Sequence, residues 1–121
     1  MKFTEHHIWA RLENDSSVTV GITDHAQDEL DDIVFVEPPA KNIFIKAGEK
    51  SATVESVKSA SDIPSPISGE IIAINDEAIK DPGIINQDPE KSGWLFKIQP
   101  SNIKELDNLM DQKAYEKYLA E

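Results

Sequence analysis

Three histidines, His6, His7 and His25, are the side chains best suited to ligate a metal or move a proton near neutral pH. His6 and His7 are adjacent, so on a strand they would face opposite sides and could not easily share one ion. His25 has no second histidine one helical turn away, so there is no H-x-x-x-H pair. All three are expected to be surface or partly packed residues, with no metal bound. Serine offers no better nucleophile, because Ser65, Ser68 and Ser92 lie near glycine or proline without forming a G-x-S-x-G elbow. Gly48, Gly69, Gly83 and Gly93 are isolated, which leaves no phosphate-cradling loop. Cysteine is absent, and with it thiolate nucleophiles, disulfides and Cys-ligated metals. No self-sufficient active site is visible. The segment that stands apart is Glu55-Ser56-Val57-Lys58-Ser59-Ala60-Ser61-Asp62. A β-branched run reaches Lys58, small residues follow, and Ile63-Pro64-Ser65-Pro66 leads into the next apolar run. That order suits a hairpin holding one lysine at an exposed tip. By spacing alone, such a lysine is an ordinary surface residue.

The elements that would position this tip are mostly short strands. Val18–Ile22 alternates with period two after a turn-like Asn14-Asp15-Ser16-Ser17. Ile33–Val36 is a short buried strand stopped by Pro38-Pro39, and Ile43–Ile45 is followed by a turn at Ala47-Gly48. Ala52–Val57, Ile67–Ile74 and Trp94–Ile98 complete the series, with Gly69 marking a bend or bulge and Pro100 ending the last strand. Many short strands with regular turns predict a mainly β fold, a small sandwich or barrel. Two helical pieces interrupt it. Asp24 and Gln27 fit a helix start near 24–31, with Ala26 and Leu30 on one face. Asn102 and Glu105 fit a second start, and Ile103, Leu106, Leu109 and Met110 recur at helical spacing. Tyr115, Tyr118 and Leu119 continue the stripe, so the segment 102–120 is expected to be helical and to pack on the sheet. Partner binding is the less favoured use of it.

The chain has 121 residues, which suits a single domain spanning 1–121. It has fifteen isoleucines, a β-branched preference that agrees with strands. Twelve Lys and Arg against 23 Asp and Glu leave a formal charge of −11. That balance argues against nucleic acid, which needs clustered cations, and against anionic membrane surfaces. No apolar run approaches the roughly 18–20 residues that span a bilayer. The N-terminal segment lacks a signal-peptide core and an Arg- and Ser-rich transit pattern. A cytoplasmic protein of bacterial type is expected, and a mature mitochondrial form would look similar.

The octapeptide, with Val20-Gly21-Ile22-Thr23-Asp24-His25-Ala26-Gln27 and Pro66-Ile67-Ser68-Gly69-Glu70-Ile71, closely resembles the H-protein family of the glycine cleavage system. His7, Trp9, Val34-Phe35-Val36, Asn75, Ile85-Asn86 and Gly93-Trp94 match in the family's order across nearly the whole chain. The resemblance implies a lipoyl/biotinyl-carrier-like β-sandwich, a barrel-sandwich hybrid with the modified lysine at a hairpin tip. It implies lipoate in amide linkage on Lys58, with Glu55, Ser56, Val57, Ser59, Ala60 and Asp62 as its cofactor-binding surroundings. It also implies a carrier rather than an enzyme, serving glycine catabolism and one-carbon metabolism. Glycine decarboxylase (the P protein) would load the aminomethyl group, aminomethyltransferase (the T protein) would move the carbon to tetrahydrofolate, and dihydrolipoamide dehydrogenase (the L protein) would reoxidise the arm. A lipoate-attachment enzyme is the fourth implied partner. Lipoylation removes one positive charge, taking the formal charge from −11 to −12. Asp62 matches a family acidic position, where a carboxylate could pair with the cationic amine of the loaded arm.

Several positions depart from the family. Ile8 stands where the family usually has Glu, a residue associated with holding the loaded arm, so Glu5, Glu13 or Asp62 would have to compensate. Asp31 replaces the usual turn glycine, which Asp tolerates better than most residues. Pro38-Pro39 replaces Leu-Pro, and Pro89-Glu90 replaces Pro-Tyr. Ile8 leaves room for an alternative, an H-like lipoyl donor to other lipoate-dependent complexes. A non-catalytic acidic adaptor is a further alternative. A biotin carrier fits poorly, since that family flanks its lysine with Met and here the neighbours are Val57 and Ser59.

Overall fold

The computed structural model describes residues 1–121. Nine strands are present: β1 (Lys2–Phe3), β2 (Ile8–Leu12), β3 (Val18–Ile22), β4 (Ile33–Glu37), β5 (Phe44–Ile45), β6 (Lys50–Ser56), β7 (Ala60–Pro64), β8 (Gly69–Ile74) and β9 (Phe96–Pro100). They form two antiparallel sheets, six strands in the order β1-β2-β3-β9-β8-β5 and three in the order β4-β6-β7. Val18, Val20, Ile71, Phe96 and Ile98 from the larger sheet meet Ile33, Val36, Val54 and Ile63 from the smaller one in a continuous core. The expected mainly β sandwich is the observed architecture. Full burial of one such aliphatic side chain contributes roughly 1.5–3 kcal/mol, which makes this two-sided layer the main source of cohesion.

Alternation alone would leave Thr19 and Gly21 of β3 on an open face, yet the whole strand is buried. Thr19 is covered by the Glu13 carboxylate, to which its hydroxyl donates. Gly21 lies under the Trp9 indole, and a Cβ there would come within 2.6 Å of the ring. Trp9 is fully buried and donates Nε1–H to the Pro89 carbonyl at 3.0 Å. Gly69, expected to mark a bend or bulge, instead permits close packing against the Gln99 carbonyl of β9. The irregularity in β8 lies further on, between Ile71 and Ala73.

Three short helices lie between strands, α1 (Asp24–Leu30), α2 (Asp76–Lys80) and α3 (Gly83–Gln87), and a fourth, α4 (Gln112–Ala120), follows the last strand. The cap of α1 is Thr23, whose hydroxyl accepts from the Ala26 N–H at 3.2 Å, and not the expected Asp24. Asp24 is already the first helical residue, and its N–H donates to the Glu90 carboxylate at 3.1 Å. The departure at Glu90 therefore places a negative charge at a helix N-terminus, the favourable end. The expected helical segment 102–120 is broken. A 3-10 helix covers Ile103–Asn108, and Met110 then exchanges backbone hydrogen bonds with Phe3 before α4 begins. Glu105 accepts from the Ser68 N–H at 2.9 Å, so it is not available to close a capping box. Nine residues are too few for a stable isolated helix. Tyr115 holds α4 in place by stacking on Phe3, with ring centroids 4.5 Å apart and planes 4° apart.

Candidate functional site

The hairpin between β6 and β7 has a three-residue loop, Val57-Lys58-Ser59. Glu55 pairs with Ala60, Val54 with Ser61 and Thr53 with Asp62, which fixes the register that carries the loop outward. Ser56 closes the turn. Its backbone N–H donates to the Ser59 carbonyl at 2.8 Å, and its hydroxyl donates to the same carbonyl at 3.2 Å. The hydroxyl also accepts from the N–H groups of Lys58 at 3.1 Å and Ser59 at 3.2 Å. One hydroxyl thus uses its donor and both acceptor positions on a single turn. The Val57 N–H donates to the Asp32 carbonyl at 3.0 Å, tying the base of the loop to the chain entering β4. Lys58 is exposed, and its ammonium makes no hydrogen bond or ion pair. The sequence placed a lysine at a hairpin tip, and the structure has it there.

The neighbouring residues divide by role. Glu55, Val57, Ser59 and Ala60 are exposed around the loop, whereas Ser56 points inward and sets its shape. Asp62 accepts from the Thr53 hydroxyl at 3.0 Å and lies 3.8 Å from the Lys50 ammonium. Val34 and Phe35 are exposed beside this hairpin, an arrangement the sequence reading did not anticipate. A register irregularity in β4 between Ile33 and Phe35 turns two consecutive apolar side chains outward, and Phe35 pairs with Glu55 of β6. No single-sequence periodicity signals this, because the irregularity breaks the alternation on which that reading depends.

A cleft of about 360 Å³ runs beside β7. Ser61, Asp62, Ile63 and Pro64 form one wall, Glu5, His6, His7 and Ile8 another, and Ile22, Ala26, Glu29 and Leu30 complete it. Ile8 is buried in the core, so its side chain contributes apolar lining. Of the three acids expected to compensate for Ile8, Glu5 and Asp62 reach the cleft and Glu13 does not. Glu13 binds Arg11 at 3.0 Å and the Thr19 hydroxyl, and the Thr19 bond is the main cause of its lowered pKa. Glu29 supplies a third carboxylate to the cleft that sequence reading missed.

The histidines are not arranged as expected. His7 does not lie on a strand; it ends the turn before β2 with a left-handed φ of 65°. Opposite faces of a strand therefore do not govern the direction of its ring. Its ring lies 4.5 Å from that of His25, and His25 Nε2 is 2.9 Å from Glu29 Oε1. His7 Nδ1 shares a 2.8 Å hydrogen bond with the Tyr115 hydroxyl, which shares another of 2.8 Å with Thr23. Partial burial, followed by the neighbouring His25, lowers the His7 pKa from 6.5. Burial likewise raises that of the Tyr115 phenol. Seventeen residues separate His7 from His25, so only the fold brings them together.

Asn75 and Asn86 are scaffold residues. Asn86 accepts from the Ile33 N–H at 2.9 Å and donates to Gln27 and the Asp31 carbonyl, joining α3 to α1 and β4. Asn75 caps α2 and donates to the carbonyls of Ser92 and Trp94. No helix is long and apolar enough to cross a membrane.

A sequence profile described as glycine cleavage H-protein matches residues 1–121. The glycine cleavage system H protein of Teredinibacter turnerae is 50% identical over 117 residues, covering 97% of this chain and 90% of that protein. The corresponding protein of Halorhodospira halophila is 48% identical over 121 residues, covering 100% of this chain and 93% of its own length. Among solved structures, a glycine cleavage system H protein from Mycobacterium marinum superposes with a TM-score of 0.89 at 34% identity, covering 99% of this chain and 96% of that one.

Proposed function

The chain belongs to the glycine cleavage H-protein family, and from that premise we propose that Lys58 is the residue through which it acts as the lipoyl shuttle of glycine cleavage. The protein is a carrier component of a multi-enzyme system, not a catalyst. The observation that supports Lys58 is its placement: an exposed, unpaired amine on a three-residue loop clamped by Ser56. An attachment enzyme can reach such an amine without unfolding the hairpin. Lipoate in amide linkage supplies a disulfide whose sulfur accepts the aminomethyl group derived from glycine. Ser56 keeps the tip in one conformation, and Glu55, Val57, Ser59 and Ala60 present the loop to the attachment enzyme. Ile8, Ile22, Ile63 and Leu30 line the adjacent cleft with apolar surface that displaces water. Glu5, Glu29 and Asp62 give the same cleft a negative field that favours a cationic amine. The three enzymes of the system and the lipoate-attachment enzyme are the partners in this reading, and the cytoplasm is its setting.

Intact mass after co-expression with a lipoate-attachment enzyme tests the assignment. Wild type should gain one lipoyl group and Lys58→Arg none. The modified protein should then support glycine-dependent carbon dioxide exchange with glycine decarboxylase. A Lys58→Arg protein that is still lipoylated would move the attachment site elsewhere.

A further inference from the structure

One side-chain cluster reaches beyond the carrier role. His7, His25 and Glu29 each present one ligand atom, and these atoms all lie within 4.8 Å of one another. We propose that His7, His25 and Glu29 form a site for a late first-row divalent cation, of which zinc is the natural probe. His25 and Glu29 stand four residues apart on α1, so both project from one helix face. His7 comes from the turn before β2, and its backbone is fixed at both ends. Its N–H donates to the Thr4 carbonyl at 3.1 Å, and its carbonyl accepts from the Thr23 N–H at 3.0 Å. Its ring is fixed as well, because Nδ1 bonds Tyr115 and Nε2 remains the free nitrogen. A metal-ligating histidine commonly has its second nitrogen held in this way, which sets both tautomer and ring direction. Coordination at Nε2 selects the tautomer in which Nδ1–H donates to the Tyr115 oxygen and the Tyr115 hydroxyl donates to Thr23. As a ligand, the His7 imidazole must be neutral.

The donor set decides the class of cation. Two imidazoles and one carboxylate suit zinc, nickel or copper, whereas calcium and magnesium take oxygen ligands. An open recess of about 390 Å³ lies against the three residues, with Tyr118, Leu119 and Glu121 on its walls. Water or the Glu121 carboxylate can occupy the remaining coordination positions there. His7 and Glu29 also line the cleft beside β7, so a bound cation would stand at the edge of that cleft.

The test uses the tag-free full chain carrying Lys58→Arg, so that no arm thiols are present. Zinc is titrated calorimetrically in excess magnesium, which occupies the many surface carboxylates. One saturable site is expected. His25→Ala and Glu29→Gln should each weaken it at least about tenfold, Tyr115→Phe should also weaken it, and His6→Ala should leave it unchanged. Glu29 is exposed, so Glu29→Gln tests the site without threatening the fold. In the imidazole NMR spectrum, His7 and His25 should shift together on zinc addition. Absence of saturable uptake, or equal affinity in His25→Ala and Glu29→Gln, would overturn the site.

Discussion

The Lys58 amine is free because nothing in the chain competes for it, which is what the proposed attachment requires. With 23 acidic residues available, an ion pair would have been easy to form, yet none engages it. The hairpin tip that carries Lys58 was legible in the octapeptide, and the hydrogen bonds of Ser56 explain how that tip is shaped. The cleft was less legible, because Glu5, Glu29 and Asp62 converge from three distant segments. Ile8 is the instructive case, since its side chain is core lining and the cleft's charge comes from elsewhere. His7 allows a prediction at this scale. Its pKa is lowered on folding, so between that depressed value and 6.5 the unfolded chain binds more protons than the native one. Stability should therefore fall as pH drops below about 6.5 and continue falling until the folded-state value is passed. His25 and His6 deepen the effect and Glu29 opposes it. His7→Asn removes the titration while tolerating a left-handed backbone. Thermal unfolding in chelator should then show a flatter midpoint-against-pH curve just below pH 6.5. Glu13, depressed from 4.5, acts only at lower pH and should be unaffected. Parallel curves for the two proteins would show that burial of His7 carries no linkage.

At the scale of elements, β-branched runs identified β3, β4, β6 and β8 as strands, although the burial within β3 and β4 departs from the alternation of their sequences. β1 and β7 were invisible for a physical reason. β1 has two residues, and β7 reads Ala-Ser-Asp-Ile-Pro, a sequence with little strand preference of its own. It is a strand because β6 pairs with it through Thr53, Val54 and Glu55. The break between the 3-10 helix and α4 was hidden similarly, since Met110 leaves the helical pattern to pair with Phe3. The end of α1 shows local preference and structure in conflict. Asp31 has φ 69° and ψ −155°, a region occupied almost only by glycine. Its side chain recovers one exposed hydrogen bond from the Asp32 N–H at 3.1 Å, and its carbonyl anchors Asn86. Asp31→Gly keeps the carbonyl and removes a strain of about 1–3 kcal/mol. Greater freedom of the unfolded chain offsets roughly 0.5–1 kcal/mol of that gain. A net stabilisation of about 1 kcal/mol is expected, measured as a higher urea midpoint at unchanged slope. A lower midpoint would mean that the Asp31–Asp32 bond outweighs the strain.

For the whole molecule, the charge of −11 acquires a location. Asp32, Glu55 and Asp62 lie around the base and strands of the Lys58 hairpin, and the proposed amide on Lys58 would remove the positive charge at its tip. Among them stand the exposed side chains of Val34, Phe35 and Val57. Acidic groups around an apolar centre suit a partner whose entrance has a basic rim and an apolar floor. The two contributions respond differently to ionic strength. Charge attraction between exposed groups decays over a Debye length of about 10 Å at 0.1 M salt and about 3 Å at 1 M, whereas apolar contact is not weakened by salt. Docking should therefore lose its long-range steering first. With the lipoylated protein as the varied substrate of glycine decarboxylase, KM should rise severalfold between low salt and about 0.5 M, with kcat changing much less. Reversing charge at Glu55 with Glu55→Lys should raise KM at low salt and flatten its dependence on ionic strength, because part of the attraction is already gone. A KM independent of salt in the wild-type protein would assign recognition to Val34, Phe35 and Val57, and leave the acidic surface to solubility alone.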